Sequence, residues 1–140
     1  MHEEVLIQRI TNAAGLSRAG NRIQEAIWKG IQYAKRNNMI EVRGIFVWHP
    51  ANEVTVRDRS DLDGSMKKFQ YVAPEELAAA INETVESAIS IKEDEAISTA
   101  YRLLGFERIT NTARKLARKA RQLVSGHVSF DERNGLLIWE

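Results

Sequence analysis

The sequence predicts a mainly α (α+β) fold of tandem winged-helix-like repeats, each with three helices and a short β-hairpin. Three observations predict it. Residues 111–125, NTARKLARKARQLVS, set Ala113, Leu116, Ala117, Ala120 and Val124 on one face of a helix. A hairpin pattern follows, centred on Asn134-Gly135. That pair is the strongest short turn signal, because a type I′ turn needs positive φ at both central positions. The same succession also occurs once before, about ninety residues earlier. Glu3-Glu4 meets Glu93-Asp94, Ile7 meets Ile97, Gly15-Leu16 meets Gly105-Phe106, Arg18 meets Arg108 and Asn21 meets Asn111. The two hairpins end at Trp48 and Trp139, one residue out of step. Helix, glycine, short turn, Asn-opened helix, hairpin is the order of a winged helix, whose second and third helices form a helix-turn-helix. A two-stranded hairpin is marginal alone in water, so it is expected to pack on the helices' apolar stripes.

Each element has a local reason. Residues 3–14 read as a helix with Leu6, Ile10, Ala13 and Ala14 inward and Glu3 and Glu4 at the positive end of its dipole. Gly15 closes it, and residues 17–20 form a short helical turn capped by Ser17. Asn21 caps a helix to residue 37 whose core face is Ile23, Ala26, Ile27, Gly30, Ile31 and Ala34. Residues 39–42 and 45–48 pair through Arg43-Gly44. Residues 53–57 and 67–72 have strand character around a turn-rich stretch. Pro74 at a first helical position, with Glu75 and Glu76 behind it, opens a helix to residue 88 that bridges the two halves. Ser90-x-x-Glu93 reads as a capping box starting the next helix, which faces Ile97, Ala100, Tyr101 and Leu104 inward and ends at Gly105. The expected organisation is therefore a first unit at 1–50, an irregular or hairpin connector at 51–73, and the bridging helix with the second unit at 74–140.

Composition narrows the function classes. The chain has 140 residues and no cysteine, which removes disulfides, thiolate zinc sites and cysteine nucleophiles. A reducing, cytoplasmic setting is the expectation. No run of apolar residues is long enough for a membrane span, and MHEEVLIQRI is neither a signal nor a transit peptide. The net charge of +1 hides an uneven spread. Residues 1–50 carry seven Lys/Arg against four Asp/Glu, residues 51–105 six against eleven, and residues 106–140 seven against four. Two basic ends flank an acidic middle, and the local sign is what a polyanion feels, since screening limits the reach to about 8 Å.

The leading candidate site is the solvent side of the 111–125 helix: Arg114, Lys115, Arg118, Lys119 and Arg121. There they would contact phosphates of DNA, duplex or single-stranded, with little base readout. Pairing with the acidic middle and plain solvation are the competing uses. In the first copy Arg18, Arg22 and Lys29 are the counterpart candidates, diluted by Gln24, Glu25 and Gln32. Trp48 and Trp139 are expected to pack on their own cores, and Trp28 either to seal a contact between the halves or to stack on a base. Asp58, Asp61 and Asp63 fail the calcium-loop pattern, because the twelfth position from Asp61 is Val72. His2, His49 and His127 have no metal-ligand spacing. Without a phosphate loop, nucleophile elbow or acid–base pair, no enzyme, cofactor or metal is expected.

The stretches GLSRAGNRI, RDRSDLDG, YVAPEELAAAI and DEAISTAYRLLGFERIT resemble an uncharacterised bacterial C-terminal domain family. Its members sit in large proteins with superfamily-one helicase motors and a restriction-endonuclease-like domain. The family has no established activity for this domain, so the resemblance supplies no catalytic residues. It implies that the chain is part of a DNA-processing protein, with helicase or nuclease domains as neighbours. The leading expectation is a non-enzymatic nucleic-acid-binding accessory domain. The alternative is a protein–protein docking module within the parent protein or an oligomer.

Overall fold

Residues 1–50, 53–124 and 126–140 are described by the structure, a computed structural model. They form five α-helices and two small antiparallel sheets, a mixed α and β architecture in two compact units, 1–53 and 54–140.

The first unit holds α1 (Glu3–Ala13), α2 (Asn21–Arg36), β1 (Glu41–Arg43) and β2 (Phe46–Trp48). His2 precedes α1 and its ring Nδ1 accepts the Glu4 N–H at 3.1 Å, an N-cap with no signature in the sequence pattern. Gly44 turns the hairpin at φ 59° as the first of two loop residues, where a type II′ turn wants glycine. The short helical turn expected at 17–20 does not form; those residues are bend and coil. The expected inward faces are only partly inward. In α1 the buried residues are Val5 and Thr11, while Ala13 and Ala14 are exposed. In α2 Ile31 alone is buried, and Ala26 and Gly30 are exposed.

The second unit is built on α3 (Pro74–Ala88), with β3 (Ser90–Lys92), α4 (Glu93–Leu103), α5 (Asn111–Ala120), β4 (Val128–Asp131) and β5 (Leu136–Trp139). Leu77, Ile81 and Val85, spaced by four along α3, meet Ile97, Ala100, Tyr101 and Leu104 of α4 and Ala113, Ala117 and Ala120 of α5 in one core. Alanines on α5 let the helices approach closely, and each fully buried aliphatic side chain contributes about 1.5–3 kcal/mol. Tyr101 donates its hydroxyl to the Ala113 carbonyl at 2.7 Å, tying α4 to α5, and burial raises its pKa. β5 is the central strand, with β3 and β4 antiparallel on either side.

Several expectations are corrected here. Ser90 does not cap a helix; Ser90–Lys92 is a strand, because its backbone pairs with β5. The first helical N–H, of Glu93, donates instead to the Gly135 carbonyl at 2.9 Å. Thr110, not Asn111, caps α5, accepting the Ala113 N–H at 3.2 Å. That helix stops at Ala120 and gives way to a 3₁₀ turn, Arg121–Leu123, so Val124 reaches the core from beyond the helix end. Residues 105–110 are not helical. Asn134-Gly135 is not a two-residue turn. Asp131 faces Leu136, which leaves a four-residue loop in which Gly135 has positive φ and Asn134 does not. The Asp131 carboxylate organises that loop, accepting from Asn134 Nδ2 at 2.7 Å and from the Arg133 N–H at 3.0 Å. Neither 53–57 nor 67–72 forms a strand; Phe69–Tyr71 is a 3₁₀ turn.

The stretch 54–73 packs in the second unit through an ion pair that its turn-like composition concealed. Arg59 and Glu76 are buried, with Nη1 donating to Oε1 at 2.8 Å and Nη2 to Oε2 at 2.5 Å. The Arg57 N–H also donates to Glu76 Oε1 at 2.9 Å. The Arg59 N–H caps the end of α4 at the Leu104 carbonyl, 3.0 Å away.

Local backbone events recur between the units at an offset of ninety residues. Glu3 N–H donates to the Ile45 carbonyl as Glu93 N–H does to that of Gly135. His2 bridges to Phe46 as Lys92 pairs with Leu136. His2 and Lys92 share φ −62° and ψ 140°, and Ala14 and Leu104 share φ −81° and ψ 0°. By this register Trp48 matches Ile138, not Trp139. The two tryptophans therefore lie on opposite faces of their strands, one residue apart in an alternating pattern. Trp139 packs against the second unit's core, whereas Trp48 is buried beneath Arg43, whose guanidinium carbon is 4.9 Å from the ring centre.

Candidate nucleic-acid interface

The alanine stripe of α5 faces the core, so its basic residues face outward or toward α4. The five candidates, four on this helix and Arg121 in the 3₁₀ turn after it, separate into two groups. Arg114 leans on α4: Nη1 donates to the Asp94 carbonyl at 3.2 Å and Nη2 to Ser98 Oγ at 3.1 Å, and its side chain is 27% exposed. Arg118 lies within 3.5 Å of Glu93 and 3.2 Å of Asp94 but keeps 49% of its side chain exposed. Arg121 pairs with Glu93, and its guanidinium lies 4.1 Å above the Phe130 ring, joining α4 to β4. Lys115 and Lys119 are exposed and make no ion pair among the described residues.

The acidic partners come from the first turn of α4, where Glu93, Asp94 and Glu95 suit the positive end of that helix. Glu93 and Asp94 thus place negative charge at the start of one helix and hold the arginines on and just after the next. Three arginines are drawn toward two carboxylates, and the whole surface stays positive. The pairing is with the acidic middle of the sequence, but it is half-solvated and not buried, so each contact stabilises weakly, by about 1 kcal/mol or less.

On the first unit Arg18 and Arg22 are exposed without an ion pair among the described residues. Lys29 lies 3.5 Å from Glu25 one helical turn away, an exposed pair. Gly20 opens α2 without a side-chain cap. Arg18 lines a shallow hollow of about 420 Å³ with Glu4, Ile7, Gln8 and Gln24. Trp28 is 46% exposed on α2. Asp58 accepts from the Ser60 hydroxyl and N–H, which lowers its pKa, so this carboxylate is spent on its own turn.

Residues 1–25 match the family model described as a protein of unknown function (DUF3320). The match covers α1, the Gly15 turn and the start of α2, and it agrees with an uncharacterised domain family. No curated protein and no solved structure matches the chain. Among the described residues no helix is long and apolar enough to cross a membrane.

Proposed function

We propose that the chain is a non-enzymatic nucleic-acid-binding accessory domain of a helicase- or nuclease-type DNA-processing protein, and that the exposed face of α5 meets the phosphates. The observation that carries this reading is the charge of that face, four basic residues on α5 with Arg121 just beyond it against Glu93 and Asp94, and with Lys115 and Lys119 left unpaired among the described residues. The order α3, β3, α4, α5, β4, β5 with sheet order β3-β5-β4 supports a winged-helix reading of the second unit. In that reading α4 and α5 form the helix-turn-helix, α3 is the first helix, and β4–β5 is the wing. The first unit would be a partial copy, with His2 as its leading strand and no counterpart of α3 among the described residues.

The ion pairs narrow the contact set. Arg114 and Arg121 are held by α4 and β4, so Lys115, Lys119 and the exposed side of Arg118 would do most of the phosphate contact. Such binding has little sequence preference and falls steeply with salt. A titration of duplex and single-stranded DNA across salt concentrations tests it. Lys115→Gln/Lys119→Gln is the diagnostic variant, because neither lysine holds the fold. A protein-docking role is the second reading, and a different surface, in the first unit, favours it.

A further inference from the structure

The two units follow one local plan but differ in what covers it. In the second unit Ala96, Ala100, Ala117, Ala120 and Leu137 are at most 2% exposed, clustered with Leu77, Ile81 and Val85 of α3. Ninety residues earlier stand Leu6, Ile10, Ile27, Gly30 and Val47. These five line an open, almost wholly apolar groove of about 480 Å³. Ile10 is 42% exposed, Gly30 is exposed, and the other three are half-buried. Among the described residues the first unit has no helix in the place that α3 takes in the second.

We propose that this groove is a docking site for an amphipathic helix of a partner polypeptide, laid across α1, α2 and β2 as α3 lies across α4, α5 and β5. Helix-in-groove recognition needs this kind of surface, an apolar trough between secondary elements. The chain itself states the chemistry of the occupant. α3 carries Leu77, Ala80, Ile81 and Val85 along one side, and its charged residues are Glu75, Glu76, Glu83 and Glu86, with no lysine or arginine. The helices that flank the groove have a net opposite sign, with Arg9, Arg22, Lys29, Lys35 and Arg36 on α1 and α2 against Glu3, Glu4 and Glu25. Leu6, Ile10 and Ile27 are bulkier than the alanines they replace, so the incoming stripe needs small residues opposite them. The occupant is an acidic amphipathic helix of about four turns with alanine in its facing stripe. The proposal uses none of the residues assigned to nucleic acid on α5, so either can fail alone.

The test titrates the full chain with fluorescently labelled peptides and reads anisotropy. One peptide has the sequence of residues 74–88, a second carries Leu77→Ala/Ile81→Ala, and a third is a scrambled control. Gly30→Leu is the diagnostic variant: Gly30 lines the groove and a Cβ there has nothing within 4 Å, so the added side chain occupies groove space. Ile10→Gln, at a half-exposed position, carries the test if Gly30→Leu fails to fold. The expected result is that at least one helix peptide binds, the scrambled peptide binds at least about tenfold more weakly, and the variants lose about tenfold or more. Absence of binding by both helix peptides, or binding that no folded variant weakens, overturns the proposal. So does a dimer that Gly30→Leu abolishes, which would give the groove to a second copy of the chain.

Discussion

Gly105 and Gly15 close equivalent helices with positive φ, 90° and 76°, but they do not carry the same load. A Cβ at Gly105 would lie 2.4 Å from the Ser60 N and 2.7 Å from the Arg59 N, because the 58–60 backbone crosses the end of α4 there. A Cβ at Gly15 has nothing within 4 Å. Gly15→Ala should therefore cost about 1–2 kcal/mol, the penalty of the backbone conformation. Gly105→Ala should cost about 3 kcal/mol or more, since overpacking against backbone adds to that penalty. Hydrogen exchange, which reports each unit separately, checks both. His2 gives a residue-scale pH dependence. Burial lowers its pKa, more than Glu4 and Glu3 raise it, and its Nδ1 caps α1 as an acceptor. The neutral form is the folded one, so the stabilisation is present above about pH 6.5 and is lost as pH falls toward the lowered value. The α1 amides should lose protection on acidification, and His2→Asn, which keeps a cap acceptor, should remove that dependence. The glycines were legible as helix closers. The crossing of 58–60 was not, because that segment has no period to reveal where it packs.

At the scale of elements, α3 ends in a strained residue. Ile89 has φ 66° and ψ −45° and a side chain 65% exposed, so the conformation is forced by the passage from α3 into β3 and not by burial of the isoleucine. Ile89→Gly should stabilise the second unit by about 1 kcal/mol, read from the urea midpoint. The Arg59–Glu76 pair fixes 54–73 to α3. Arg59→Met leaves a buried carboxylate without its partner and should cost about 3–5 kcal/mol, whereas Arg59→Met/Glu76→Met should lose less than the single change. Helices with a strong stripe and a clear stop, such as α2 and α3, were readable to within a residue. β3 is hidden in the sequence because Ser90-x-x-Glu93 satisfies a local capping pattern, while the partner that overrides it, β5, lies more than forty residues away. The internal repeat contained the correction. Glu3 aligned with Glu93 already set both helix starts, with His2 and Lys92 before them.

For the whole molecule, the basic stripe of α5 was legible as charge, but its division was not. Nothing in a linear pattern shows that Arg114, Arg118 and Arg121 lean on Glu93 and Asp94, whereas Lys115 and Lys119 stay out in solvent. The open face of α2 has the same periodicity as a core face, and periodicity reports an apolar stripe without saying whether anything in the chain covers it. The central claim is that α5 meets nucleic acid through Lys115 and Lys119, which make no ion pair among the described residues. The most direct measurement is the slope of log K against log salt for duplex DNA, for the natural chain and for Lys115→Gln/Lys119→Gln. The account predicts weaker binding in the variant and a slope shallower by about 2. An affinity and slope that both stay unchanged, with the fold intact, would contradict it.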